Sequence, residues 1–313
     1  MSFPGATAPR SEASYAIFGA PLDATTSFQP GTRFGPDRIR QFAAAFADYH
    51  HHTESHFSDL GVHDAGDLRA WPDVREYLAF LSGELGDAVA EGLVPVTIGG
   101  EHTVTYAGVE ATSPDTVVVV DAHLDLRDRF DDDPWSHACV TRRVLELADE
   151  AVVIGARTGS SEEWDRAARA DVTVVPPADT AAWLDTAPET LADNLYLSVD
   201  IDGADPGFAP GTGTLEPFGL TPQTIRAVVR AVAPRAVGFD VVEVNDRDDG
   251  QTAALGGKLL REFVHSNANA DETETESHAG TGNGSETGTR GRNENENGSG
   301  NGNENRNGNG TAD

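Results

Sequence analysis

Three short segments carry side chains of the kinds that bind divalent cations. GGEHT puts His102 just past a glycine turn, DAHLD sets Asp121, His123 and Asp125 at alternate positions, and DID does the same for Asp200 and Asp202. Residues two apart on an extended chain point the same way, so each segment presents its side chains to one side. Each also follows an apolar run (94–98, 117–120 and 195–199), which brings all three to the same edge of a parallel sheet. Four carboxylates and two imidazoles suit a pair of divalent ions better than a single ion. The four negative charges balance most of two M²⁺ ions and a bridging hydroxide. An oxygen-rich set with some imidazole favours Mn²⁺ over zinc, which takes nitrogen and sulfur. Two ions about 3.5–4 Å apart share a water, lower its pKa toward neutrality and hold the attacked group beside it. The chemistry is metal-assisted hydrolysis. Taken singly, each segment has a plainer use, since strand-end aspartates cap helices. Three of them, each behind an apolar strand, are not explained as caps.

The elements that must position these residues are read from the apolar pattern. Runs at 15–18, 94–98, 117–120, 152–154, 172–175, 195–199 and 236–242 are rich in β-branched residues and continuous enough for strands buried on both faces. Helical patterns lie between several of them, at 36–46, 74–90, 141–150 and 222–233, with Pro36 and Pro222 where a first turn tolerates proline. Such alternation predicts an α/β fold with a mostly parallel central sheet, and ligands in such sheets bind beyond the carboxyl ends of the strands.

The 313 residues hold 52 Asp and Glu against 22 Lys and Arg, a net charge of −30. A chain this acidic repels phosphate, which argues against nucleic-acid and anionic-membrane partners. No apolar run approaches the roughly 20 residues that span a bilayer, and no basic-then-apolar leader opens the chain. The single cysteine, Cys139, excludes an internal disulfide and fits a reducing cytoplasm. After Val264 no Leu, Ile, Val, Phe, Tyr or Trp occurs, so the boundary is drawn there: a catalytic domain over 1–264 and a disordered, low-complexity tail over 265–313. That tail carries −6, leaving −24 on the body, and Lys258 is the only lysine. Acidity on this scale, screened by concentrated salt, predicts a halophilic protein.

The motifs together resemble the ureohydrolase family, which includes arginases and agmatinases. The resemblance runs through APLDATTSFQPGTRFGPDRIR, GGEHT, DAHLD, SHACV, SVDIDGADPGFAPGTGTLEP and FDVVEVN, and leaves out only the tail. HACV looks like the form found in archaeal agmatinase-like members. The resemblance implies an arginase-like three-layer sandwich and a binuclear manganese centre, two Mn²⁺ per subunit. One ion would take His102, Asp121, Asp125 and Asp200, and the other Asp121, His123, Asp200 and Asp202, with Asp121 and Asp200 bridging. It also implies a catalytic set of Asp125, His137 and Glu243: His137 shuttles protons and Glu243 grips the substrate guanidinium, with Thr214 lining the same pocket. A metal-bridging hydroxide would attack the guanidinium carbon and release urea and an amine. Family members assemble as trimers or hexamers, which makes a homo-oligomer the expected state.

Agmatine, hydrolysed to putrescine for polyamine biosynthesis, is the expected substrate. Arginases read an amino-acid head group with polar residues between DAHxD and the shuttle histidine. Here that stretch is LRDRFDDDPWS, and Asp128, Asp131, Asp132 and Asp133 would make an acidic mouth that prefers a cationic tail. N1-aminopropylagmatine fits the same reasoning, while guanidinobutyrate, arginine and formimidoylglutamate carry carboxylates. TGTLEPFG and EVND depart from the more usual family forms and bear on substrate choice more than on the reaction. His50, His51, His52 and His56 fall in a polar loop without motif support and read as solvated. Cys139 reads as core packing. A zinc amide hydrolase of deacetylase type is the rival enzyme class, and would carry one ion.

Overall fold

The apolar runs become strands, and the sheet they build extends further than the runs alone suggest. The structure, a computed structural model, describes residues 1–279, with residues 187–190 and 271–279 described by backbone alone. In chain order the strands are β1 (Tyr15–Ala20), β2 (Tyr49–His50), β3 (Ser55–His56), β4 (Val62–Asp67), β5 (Val94–Gly99), β6 (Thr116–Val120), β7 (Glu150–Ile154), β8 (Val172–Val175), β9 (Leu195–Asp200) and β10 (Ala236–Val242). Eight form one sheet in the order β4-β1-β5-β10-β9-β6-β7-β8, with every pairing parallel. β2 and β3 make a separate antiparallel hairpin. The helices are α1 (Gly35–Ala43), α2 (Val74–Ala90), α3 (Thr105–Thr112), α4 (Val140–Val144), α5 (Ser161–Ala167), α6 (Thr180–Thr190), α7 (Pro222–Val232) and α8 (Gln251–Ala279).

Alternation along the strands divides the core into two layers. Tyr15 and Ile17 of β1 pack with Ile39, Val228 and Phe263 from α1, α7 and α8. Ala16, Phe18 and Ala20, on the other face, pack with Tyr77, Leu81 and Leu85 of α2 and Ala107 of α3. The expected α/β architecture with helices on both faces of a parallel sheet is what the chain forms. None of the described helices is long and apolar enough to cross a membrane.

Several elements differ from the sequence expectation. β4 went unread because VHDAGD is a polar edge strand, and its acids are spent on Arg40 of α1. That buried guanidinium takes Asp64 through Nε and Nη2, both at 2.8 Å, and Asp67 through Nη1 at 2.5 Å. The helix expected over 141–150 stops at Val144. The chain turns there so that the Asp149 N–H can reach the Asp115 carbonyl and enter β7. α3, α5, α6 and α8 were also unread. The domain boundary drawn after Val264 falls inside α8, where His265 and Asn267 are buried, so the folded body continues beyond it. Residues 280–313 of the expected tail lie outside the described residues.

The histidine-rich loop is partly folded onto α8 and is not simply solvated. His50 stacks on His265 with ring centroids 4.4 Å apart, and His265 Nδ1 lies 3.0 Å from Ser55 Oγ. Burial first, then the neighbouring His50 and Arg261, push His265 down to about 3. Its folded value lies below the ordinary 6.5, so the unfolded chain takes the proton more readily and stability falls as pH drops from 6.5 toward 3. Melting temperatures measured between about pH 7 and 5 should fall for the native chain and fall less steeply for His265→Leu. The limiting slope is about 1.4 kcal/mol per pH unit for one proton. Parallel curves for the two proteins would contradict this.

Candidate metal centre

Every residue singled out for metal chemistry leaves the carboxyl end of one of four consecutive strands, β5, β10, β9 and β6. Adjacent parallel strands deliver their following residues to one edge of the sheet. His102 opens a 3₁₀ turn after β5, Asp121 to Asp125 follow β6, Asp200 ends β9 with Asp202 in the next turn, and Glu243 follows β10. Simple alternation on extended chain is not how they converge. Asp125 and Glu243 both adopt left-handed backbone conformations (φ 49° and 61°), a placement that costs about 1–3 kcal/mol for a residue other than glycine. Gly203 permits a close approach between two of the turns: a Cβ there would stand 3.0 Å from the Asp121 nitrogen.

The side chains meet in a small, largely buried volume. His102 Nδ1 lies 3.1 Å from Asp121 Oδ2, 3.0 Å from Asp125 Oδ2 and 3.4 Å from Asp200 Oδ2. His123 Nδ1 lies 3.0 Å from Asp202 Oδ2 and 3.5 Å from Asp121 Oδ1. Two triads, His102–Asp121–Asp200 and Asp121–His123–Asp202, each bring their ligand atoms within 4.8 Å of one another and share Asp121. Main-chain donors hold several of the carboxylates in place. The His123 N–H donates to Asp121 Oδ1 (2.6 Å), that of Ala122 to Asp202 Oδ1 (3.1 Å) and that of Asp202 to Asp200 Oδ1 (2.9 Å). Asp121 Oδ2 is buried, with the His102 ring beside it but no well-formed hydrogen bond. A buried carboxylate oxygen facing an imidazole and two further carboxylates is a donor set that fits divalent cations.

The buried carboxylates and imidazoles shift one another's titration. Burial opposes charge on His102, but Asp121 and Asp125 outweigh it and hold the imidazolium well above its usual range. Burial likewise opposes charge on His123, and Asp202 and Asp121 carry it up to about 12. Burial and the Asp121 charge lift Asp125 to about 6, while burial with Asp202 and Asp121 holds Asp200 well above the carboxylate range. Glu243 rises to about 8, from burial and the nearby Glu101 charge.

A cavity of ≈ 350 Å³ opens onto this cluster, and His137, Thr214, Arg127, Glu163 and Glu216 are among its lining residues. His137 is held between loops. Its N–H donates to Thr25 Oγ1 (3.0 Å), and Ser27 Oγ lies 3.3 Å from Nε2. Burial pushes its imidazole below the ordinary value. Glu243 reaches the cluster from the β10 side, with Oε1 accepting the His102 N–H at 2.8 Å. The four aspartates expected at the mouth do not line the cavity. Asp128 pairs with Arg142 and Arg143, Asp133 accepts the Trp135 N–H, and Asp131 and Asp132 sit in an exposed turn. Burial pushes the Cys139 thiol up to about 12, which suits packing and not nucleophilic attack. Another cavity of ≈ 320 Å³, between α7, α8 and the β2–β3 hairpin, is lined by none of the ligand candidates.

Sequence reasoning missed the supporting residues. Glu101, fully buried, accepts Thr25 N–H (2.7 Å) and Thr25 O–H (2.8 Å), and so fixes the loop that holds His137. GGEHT contains it, but its partner lies 76 residues away. Ser198 Oγ sits 3.3 Å from His102 Nε2 and donates to Asp240 Oδ1 at 2.6 Å, while Tyr196 donates to Asp240 Oδ2 at 2.9 Å. Apolar strand patterns conceal such polar positions.

Residues 13–265 match the arginase family. The chain belongs to that family. It is 37% identical over 262 residues to the N(1)-aminopropylagmatine ureohydrolase of Thermococcus kodakarensis, covering 80% of this chain and 89% of that one. It is 34% identical over 256 residues to an agmatinase of Pyrococcus horikoshii, covering 80% and 90%. The agmatine ureohydrolase structure of Thermoplasma volcanium superposes with a TM-score of 0.83 at 33% identity, covering 87% of this chain and 96% of that one. This arginase-family member is thus a hydrolase acting on guanidino or amidine substrates, with the three-layer fold of its relatives.

Metal binding to it should expel protons. The carboxylates around His102 and His123 favour their protonated forms, and each ring must give up its Nδ1 proton to accept a cation. Calorimetric Mn²⁺ titrations in two buffers of different ionisation enthalpy should give different heats, corresponding to more than about one proton released per chain. Equal heats would contradict the assignment.

Proposed function

We propose that this enzyme is an agmatinase, hydrolysing agmatine to putrescine and urea at two Mn²⁺ ions. The observation that carries the reading is the cluster of four aspartates and two histidines around the buried Asp121 carboxylate. In this reading His102, Asp121, Asp125 and Asp200 hold one ion, and Asp121, His123, Asp200 and Asp202 the other. When bound, the ions supply a water made acidic enough to act as hydroxide near neutral pH.

The chain's own residues do the rest. Glu243 has Oε1 engaged by the His102 N–H, which leaves Oε2 to accept from a guanidinium. The arriving cation favours the ionised carboxylate, whose protonation burial otherwise promotes. His137, kept neutral by burial and steadied by Thr25 and Ser27, is placed to take up a proton and pass it to the leaving amine. Thr214 lines the same cavity.

Support for an amine-tailed substrate comes from the cavity wall. Arg127 is the one arginine among the lining residues, and its Nε already pairs with Glu163 Oε2 at 3.2 Å. Glu163 and Glu216 line the wall beside that one arginine, apart from the ligand candidates, so the wall's charge favours a cationic tail over a carboxylate. N1-aminopropylagmatine remains the second reading, favoured by the name of the 37% identical relative. The net charge of −30 supports function in concentrated salt, within the cytoplasm of a halophile.

Urea release by Mn²⁺-loaded protein should be fastest with agmatine and slowest with arginine and guanidinobutyrate. Activity should rise between about 0.1 and 2 M KCl, where the Debye length shrinks to a few ångströms. Preference for aminopropylagmatine would move the assignment to the second reading. Urea from none of the four substrates would overturn both.

A further inference from the structure

His102 and His123 face the carboxylate cluster through the same atom, Nδ1. A histidine that offers Nδ1 to a cation carries its proton on Nε2. The group accepting that proton fixes the tautomer and the ring plane, and strengthens the metal bond. For His102 that position is filled by Ser198 Oγ, backed by Asp240. For His123 it is faced by Glu216, whose Oε1 stands 4.0 Å from Nε2.

Glu216 is held there by its backbone. Its carbonyl accepts from Arg157 Nη2 at 2.6 Å, and the same nitrogen donates to the carbonyl of Asp202 at 2.9 Å. The other Arg157 donors go to the carbonyls of Gly155 (3.0 Å) and Gly203 (3.2 Å) through Nη1, and of Pro217 (3.1 Å) through Nε. One guanidinium therefore ties the turn carrying Asp202 to the loop carrying Glu216. The Glu216 side chain is only partly exposed and lines the cavity, so a modest rotation closes the remaining gap to His123.

We infer that Glu216, its backbone fixed by Arg157, is the positioning residue for His123: it accepts the Nε2 proton when a cation occupies Nδ1. The inference rests on the two-cation reading of the site, but not on which guanidine is hydrolysed. Glu216 then touches neither substrate nor metal and acts through the ring.

The test is a calorimetric Mn²⁺ titration of the metal-stripped full chain, alongside electron paramagnetic resonance of the spin-coupled Mn²⁺ pair. The proteins are wild type, Glu216→Leu and Glu216→Gln. Loss of the acceptor in Glu216→Leu should weaken one Mn²⁺ about 10–100-fold, leave the other unchanged and abolish the coupled-pair signal at stoichiometric metal. Glu216→Gln retains an acceptor oxygen and should restore the signal and most of the affinity. The metal-free melting temperatures of all three should agree. Wild-type affinity for both ions in Glu216→Leu would overturn the inference, and a raised KM for agmatine in that variant would make Glu216 a substrate contact instead. A lowered metal-free melting temperature, with no rescue by Glu216→Gln, would overturn it in favour of a purely structural role. If wild type takes only one Mn²⁺, the two-cation reading itself fails. Two bound ions with no urea from agmatine would strike the substrate assignment and leave the role of Glu216 standing.

Discussion

Like charges in a buried volume repel, and this fold gathers four largely buried aspartates around two histidines. At an effective dielectric of about 20, two carboxylates about 4 Å apart oppose each other by about 4 kcal/mol. The molecule accommodates this by raising Asp125, Asp200 and Glu243 and by holding both imidazoles protonated. Divalent cations would offset the remaining repulsion in the most compact form. Much of the remaining architecture serves to hold these repelling groups together.

The sheet provides the frame. β5, β10, β9 and β6 lie side by side, buried on both faces, so the residues after them have nowhere to spread. Close backbone approach at Gly203 and left-handed backbone at Asp125 and Glu243 then turn the side chains inward. Main-chain N–H groups take one oxygen each of Asp121, Asp200 and Asp202 and leave the other free to face the cluster. A further layer fixes the imidazoles: Glu101 holds Thr25, Thr25 holds His137, and Ser198 with Asp240 backs His102.

What could be read from the sequence follows from how local each signal is. The seven apolar strands announce themselves through β-branched runs, and GGEHT, DAHLD and DID through chemistry packed into five residues or fewer. β4 could not be read in that way, because its edge position leaves polar residues whose partner, Arg40, is distant in the chain. The end of the folded body was misjudged because α8 continues through His265 and Asn267, polar residues buried against the β2–β3 hairpin and the end of α7. The acidic run after Asp125 suggested a charged mouth, but composition cannot say which way a turn faces, and Asp128 and Asp133 are engaged elsewhere. Glu101, Arg157 and Glu216 carry no local signature because their roles consist of contacts across tens of residues.

Two cations sharing Asp121 and Asp200 are the centre of the proposed chemistry. Anomalous X-ray diffraction from crystals soaked in Mn²⁺ tests this most directly. Two peaks are predicted, about 3.5–4 Å apart, one beside His102 Nδ1 and one beside His123 Nδ1, with Asp121 and Asp200 between them. A single peak, or ordered manganese only at a site away from this cluster such as His50, would contradict it.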